Sequence, residues 1–545
     1  MRASLNPMLS RRRALSVPLL AVLAGTLAAC GDDYVNPTPS QPAPSNPAAP
    51  GTGGPGTTPG GSKARPAGGV TRIENLSGGH TIDVEVGPVI RVDANSSLLK
   101  IKASRPADDP GKKEQIYPPI SETWVGNGSD ENRGTRPLRL IDTANRRVWV
   151  TTHTDLKPVY LAKGKTEEMY FSFGGIDAGI TKLIAMLVET GFFEVDVVEA
   201  STITGIDAPA LLAACKPDAN RGPSLPLEFF SKAYDGSSGG LTTEKDIQVT
   251  VSSDVTFATD SSELSSTADG ALRNAADTIK SYANGGSITI TGHTDDVADE
   301  AYNQTLSEKR AQSVQKRLSE LADLSKWSVT TTGKGETEPR IKDTTDAARA
   351  INRRVDLVIT PTGGTHTAVK PSDPNAALPA AKGVVGSGAV GVVSESPMDQ
   401  AKLKLTLDQV TRRGQLLFGE LLLTVEATGS IGSPALTRWL RDQNGGVKSV
   451  RGEEAGVSNF STANGVTILS GGRYVYPVDY LPVGASAHLP LTDLDLSEML
   501  GQGETMRVLM VWPDTGDSTI TIDRHDTYEQ ISVDWRLTDI PVVEG

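Results

Sequence analysis

Two cysteines in 545 residues, Cys30 and Cys215, are too few for a disulfide framework. Aromatic residues make up only 5% of the chain, thin provision for a surface that stacks bases or sugars. Positive charge is also short: Lys and Arg total 53 against 66 Asp and Glu, a net charge of −13. That balance argues against broad, sequence-independent binding to nucleic acid, though not against one small basic pocket. Beyond the N-terminal leader, no apolar run reaches the 20 or so residues that a spanning helix needs. The six histidines (His80, His153, His293, His366, His488, His525) show no short zinc spacing. There is no G-x-S-x-G elbow, no phosphate-binding loop, and no motif that calls for a cofactor or a metal. The chain therefore reads as a non-enzyme. Abundant Asp and Glu leave one catalytic chemistry open, a carboxylate pair for sugar hydrolysis.

What is present is concentrated at particular places. Gly (55) and Pro (34) exceed the usual share, at about 16% against roughly 12%. Arg2 and the run Arg11-Arg12-Arg13 precede an apolar stretch from Ala14 to Ala29. This is the layout of an export signal, residues 1–29. Its end, Leu27-Ala28-Ala29-Cys30-Gly31, resembles a bacterial lipoprotein lipobox. That resemblance implies that Cys30 is the lipidation site, carrying diacylglycerol and palmitate-type chains, and becomes the mature N-terminus. The same tetrapeptide at Leu212-Ala213-Ala214-Cys215 lacks the basic and apolar segments before it, so it reads as a helix end. Ser10-Arg11-Arg12 leaves both the general secretory and the twin-arginine route open. Two acyl chains give stable anchoring where one is marginal, placing the protein on the outer face of an outer or a cell membrane.

Residues 30–69 carry Cys30 and a Pro/Gly/Ser/Thr-rich tether without large apolar side chains, too poor to form a core. At about 3.1 Å per residue its fully extended limit is on the order of 100 Å. A second linker, 361–383, is similar. Between and after them lie regions 70–240, 241–360 and 384–545. The first and last are mainly β. Their strand candidates include Ser97–Lys102, Arg147–Thr151 and Leu183–Val188, then Leu421–Val425, Arg473–Tyr476 and Val508–Trp512. A short helix is expected at Ala208–Cys215. The spacing suggests immunoglobulin-like sandwiches, and a loose match of strand intervals is what a diverged duplication would leave.

Region 241–360 changes period. Ile247–Val251 and Val255–Phe257 read as strand. Leu272, Ala275, Ala276 and Ile279 recur at helical spacing. Ser287–Thr291 is a strand, and Leu306, Val314, Leu318 and Leu321 mark a second helix. Ser328–Thr331 and Arg354–Ile359 are strands. The order β-α-β-α-β-β predicts an α+β domain with its helices on one face of a sheet.

Within it, Gly292-His293-Thr294-Asp295, Tyr302-Asn303, Leu306-Ser307, Arg310-Ala311, Gly333-Lys334-Gly335-Glu336, Pro339 and Asn352-Arg353-Arg354-Val355 resemble the OmpA-like domain. The resemblance covers about 115 residues, roughly a fifth of the chain. It implies non-covalent binding of peptidoglycan through the free end of diaminopimelate in the peptide stem. That end is a zwitterion, so a site needs a fixed anion and a fixed cation side by side. The resemblance gives Asp295 the ammonium and Arg310 the carboxylate. Thr294 and Asn303 supply neutral hydrogen bonds, and one of Arg353 and Arg354 adds to carboxylate binding. His293 reads as a packing residue. One departure is Ala298, where the family has Gly; a left-handed backbone there would be strained in Ala. The extra acids Asp296, Asp299 and Glu300 either favour a cationic ligand or are solvated charge.

Taken together, the sequence predicts a non-enzymatic lipoprotein of the cell envelope that ties a membrane to peptidoglycan. A second reading makes it an adhesion, signalling or scaffold protein whose β regions bind another protein while the central domain holds it at the wall. A third places a wall hydrolase in the β regions.

Overall fold

The computed structural model describes residues 69–545 except 77–78, 117–137, 153–158, 219–221, 259, 366–375, 397–400, 428–432, 442–461, 486, 493–499 and 525–532. The leader, Cys30, the tether up to residue 68 and the middle of the second linker therefore lie outside the described residues.

In the first region the strands form two layers. One holds Val70–Leu76, His80–Asp93, Ser96–Ser104 and Thr166–Gly174; the other holds Leu138–Asp142, Arg147–Val150, Lys182–Leu187, Gly191–Glu199 and Leu225–Pro226. They join where Val197–Glu199 runs parallel to Val89–Arg91. Between the layers Ile82, Val84, Leu99 and Phe171 meet Leu140, Trp149, Leu183 and Phe193. The alternate residues of the second layer point the other way. Ile141, Val148, Ile184, Met186 and Phe192 pack against Leu416, Phe418, Leu509 and Val511 of the last region. A layer covered on both faces has no polar side to show, which explains why Leu183–Val188 and Val508–Trp512 are unbroken apolar runs. Phe192 meets Phe418 edge-on with centroids 5.0 Å apart, and Arg413 pairs with Glu194 at 2.9 Å. The helix Ala208–Cys215 forms where the sequence placed it. Its thiol is buried and free, and burial pushes the Cys215 pKa up to about 11.

The last region builds its own core around Trp439, Trp512 and Trp535, with Leu421, Leu423, Val508 and Met510. It is not a separate bead. A hairpin, β1 (Phe229–Ala233) and β2 (Ser238–Thr242), pairs on one side with β3 (Ile247–Ser252) of the central region. On its other side β1 pairs with the strand Arg473–Val475 of the last region. The expected boundary between 240 and 241 thus falls inside a strand. Arg473 is buried at this seam, where among the described residues it is held by Ser231 and Ser238 and by no carboxylate, and burial pushes its pKa down to about 10. A fragment cut at 241–360 leaves the outer edge of β3 bare. It is expected to melt at lower temperature than a fragment spanning 226–365, a difference that thermal denaturation of the two measures directly.

The central region continues from β3 as α1 (Ser253–Thr256), α2 (Ala268–Ser281), β4 (Gly286–Gly292), α3 (Glu300–Leu321), β5 (Trp327–Gly333), α4 (Asp346–Asn352) and β6 (Arg354–Pro361). The sheet order is β5-β4-β6-β3; β4 and β5 are parallel, and β6 is antiparallel to both its neighbours. One sheet face carries Val249, Val251, Ile288, Ile290, Val355, Leu357 and Ile359. It packs on Leu272, Ala275, Ala276 and Ile279 of α2 and on Ala311, Val314 and Leu318 of α3. Two details differ from expectation. Val255–Phe257 is not strand: Ser253–Thr256 makes a single helical turn, and Phe257 only bridges Leu264. The seven-residue α4 between the last two strands was not legible. Thr345 caps it by accepting from the Ala348 amide.

Candidate functional site

Three strands end on the same side of the sheet. β3 runs into Asp254, β4 into His293-Thr294-Asp295, and β6 starts just after Arg353. The helix α3 closes over this end because two glycines let it. A Cβ on Gly292 would sit 2.1 Å from the Ser307 carbonyl, and one on Gly333 would sit 2.4 Å from Ser307 Oγ. Ser307 Oγ in turn accepts the Gly335 amide at 2.9 Å. That seating brings Arg310, one turn further along α3, to the same end.

There Asp295 accepts a hydrogen bond from Arg353 Nη1 at 2.6 Å. Asp254 holds the opposite edge of the same guanidinium with both carboxylate oxygens, at 2.6 and 2.7 Å. These hydrogen bonds, the one with Asp254 foremost, push the Arg353 pKa further up. Arg310 is different. It is 5% exposed, donates from Nε to the Ser261 carbonyl at 3.0 Å, and lies over the Phe257 ring at 5.2 Å. Among the described residues no carboxylate pairs with it, and burial pushes its pKa down. A buried cation with one carbonyl contact is an open place for an anion.

Of the six residues singled out in the sequence for a ligand, the structure brings Asp295, Arg310, Thr294, Asn303 and Arg353 together. Thr294 is buried and its Oγ1 has no partner among the described residues. Asn303 Nδ2 donates to the Asp295 and Ala298 carbonyls and to Glu336 Oε2 at 2.6 Å, so its amide nitrogen clamps the loop. Arg354 turns to the other side, where it pairs with Asp356 at 2.8 Å beside Arg340. Alternation along a strand separates the two neighbouring arginines. Ala298 is not in the left-handed region, so the residue that departs from the family pattern is unstrained. Two of the extra acids have structural work: Asp296 pairs with Arg349 at 2.7 Å, and Asp299 caps α3 by accepting from the Tyr302 amide. The sequence reading missed Asp254 and Phe257 because it took their segment for strand.

His293 packs under the site, 3% exposed, with Nε2 3.5 Å from Asp356. Burial, helped by Arg354, pushes its pKa down to about 4. The unfolded chain would bind this proton near pH 6.5, so folding stability is full above that value and falls as pH drops toward 4. A histidine shift of this size corresponds to about 3 kcal/mol across that window. His293→Phe is expected to flatten that part of the stability profile, as measured by denaturant unfolding at several pH values.

Residues 256–353 match the model of the OmpA family. The central region carries an OmpA-family domain. Outer membrane porin F of Pseudomonas aeruginosa is 40% identical over 111 residues, which are 20% of this chain and 31% of the porin. Outer-membrane lipoprotein YfiB of the same organism is 39% identical over 72 residues, 13% of this chain and 42% of the lipoprotein. The chain therefore spans less than half the length of these curated relatives. Among solved structures, the peptidoglycan-associated lipoprotein from Burkholderia pseudomallei is 28% identical, covering 21% of this chain and 88% of that one at a TM-score of 0.17.

Proposed function

We propose that this protein is a non-enzymatic lipoprotein of the cell envelope that binds peptidoglycan non-covalently and ties it to the membrane holding the Cys30 lipid. The observation that carries the reading is the buried Arg310 guanidinium, paired with no carboxylate among the described residues, at the strand end that also presents Asp295. In this reading the free end of diaminopimelate enters with its carboxylate toward Arg310 and its ammonium toward Asp295. Arg353 already neutralises Asp295 in the free chain, so the ammonium displaces Nη1 of Arg353. Asp254 retains the guanidinium by its other edge, leaving Nη1 free to turn to the ligand carboxylate. A ligand with both charges satisfies every group; an amine alone strands Arg353. The family resemblance and the outer-membrane names of the two relatives support the same assignment.

Co-sedimentation with purified sacculi tests the function. The full chain is expected to pellet with them and to be released by free diaminopimelate. A chain that stays in the supernatant, or pellets regardless of competitor, overturns the proposal. Membrane anchoring is tested separately. Cys30→Ala is expected to move the exported protein from the membrane fraction to the soluble one, and unchanged partitioning would remove the lipid anchor from the account.

A further inference from the structure

At the seam between the hairpin and the last region, three hydrogen-bond donors face one point. An ideal Cβ built on Gly240 of β2 would have as its three nearest atoms Arg473 Nη2, Asn274 Nδ2 and Ser231 Oγ, each at 3.5 Å. The three come from different pieces of the molecule. Ser231 lies on β1 directly opposite Gly240, Asn274 lies on α2, and Arg473 belongs to the last region. Each still has a hydrogen to donate. Arg473 donates from Nε to Ser231 Oγ at 3.0 Å, from Nη1 to Ser238 Oγ at 3.1 Å and from Nη2 to the Ser231 carbonyl at 3.2 Å, which leaves the second hydrogen of Nη2. Ser231 Oγ accepts there, and its own hydrogen has no acceptor among the described residues. The Asn274 amide group, on a residue only 9% exposed, makes no hydrogen bond among the described residues. Charge points the same way. Arg473 is 3% exposed and forms no ion pair among the described residues; Asp235 acts on it only through space. A buried guanidinium without a counter-ion is costly, and donors turned toward one another repel unless an acceptor lies between them.

We propose that the space over Gly240 binds a chloride-sized monovalent anion, held by Arg473 Nη2, Asn274 Nδ2 and the Ser231 hydroxyl. A halide is about as large as the methyl group that glycine leaves out. It accepts from all three donors at once and cancels the one buried charge. A phosphate or an organic carboxylate is too large for a niche of that size. The ion touches the hairpin, the central domain and the last region together, at the place where the joining ladder is three residues long. The site is independent of peptidoglycan binding.

Thermal unfolding of the full chain in detergent, with chloride replacing gluconate at constant ionic strength, tests this. The wild type is expected to gain on the order of 5 °C in Tm, levelling off as the site fills. Gly240 has an ordinary strand backbone, and a Cβ there would be in normal contact at 3.5 Å, so Gly240→Ala fits and takes the place of the ion. That variant is expected to melt at the same temperature in both salts. Asn274→Asp offers Arg473 a carboxylate from the protein itself. It should melt above the wild type in gluconate and no longer respond to chloride. Bromide soaked into crystals of the wild type is expected beside Gly240, located by its anomalous scattering. A wild-type Tm that is the same in both salts overturns the proposal and means that Asn274 presents its oxygen to Arg473. A chloride response that either variant retains in full, or bromide found only away from Gly240, overturns it as well.

Discussion

Asp295→Asn is expected to lower retention on sacculi by roughly tenfold to a hundredfold, the loss of one charge-assisted hydrogen bond of about 1.5–3 kcal/mol. The variant keeps the shape of the side chain and its short contact with Arg353, so the loop held by Asn303 should stay in place. What changes is charge. Arg353 remains bound by Asp254 through two hydrogen bonds, and the pocket becomes more positive by one unit. An ammonium then meets the Nη1 edge of that guanidinium with no carboxylate of its own to sit on. Arg310→Met is the matching change on the other side. It keeps a long side chain over Phe257 and removes the cation, with a loss of similar size. Asp254→Asn should act more weakly, because it touches the ligand only through Arg353. Binding isotherms with sacculi, run for the three variants beside the wild type, rank these effects. Retention that neither Asp295→Asn nor Arg310→Met alters would place the peptidoglycan contact elsewhere.

Asp109→Ala is expected to be the most destabilising single change in the first region. Arg105 and Asp109 have fully buried side chains 2.8 Å apart, and His80 Nδ1 lies 3.3 Å from the same carboxylate. Asp109 also accepts the Thr81 amide, while Arg105 donates to the carbonyls of Lys113, Glu114 and Leu161. Burial works to raise the Asp109 pKa, but the Thr81 amide, Arg105 and His80 together hold it below the usual carboxylate range. Removing the carboxylate leaves a buried guanidinium and a buried amide without their acceptor. Breaking a buried pair from one side costs about 3–5 kcal/mol. For a unit of this size that is a fall in Tm on the order of 10 °C. Thermal unfolding followed by circular dichroism measures it. A shift of a degree or less would mean that the pair contributes little to holding residues 105–116.

Much of the central domain was legible because its signals are local. Period-3.6 apolar residues marked α2 and α3, alternation marked β4 and β6, and the motif blocks marked the loops around Asp295. The short pieces were not. Ser253–Thr256 and Asp346–Asn352 are too brief to show a period, and both take their conformation from capping and from the strands they abut. Their loss from the reading cost the partner of Arg353. The same brevity hides which of two adjacent arginines faces the site, since only the register of β6 decides it. The union of the last region with the rest was illegible for another reason. Pairing of β1 with Arg473–Val475 spans some 240 positions of sequence, and neither strand's pattern names its partner.

That union has a mechanical side. A load applied at Asp295 enters the sheet through β4, crosses β6 to β3 by a six-residue ladder, and passes to β2 through five. β1 joins the last region through only three, Ser231 to Val475, Lys232 to Tyr474 and Ala233 to Arg473. In the proposed tether, a pull between Asp295 and Cys30 runs along the chain through β3, β2 and β1 into the first region, so the three-residue ladder at Arg473 lies beside the loaded path and the last region is carried as a side branch.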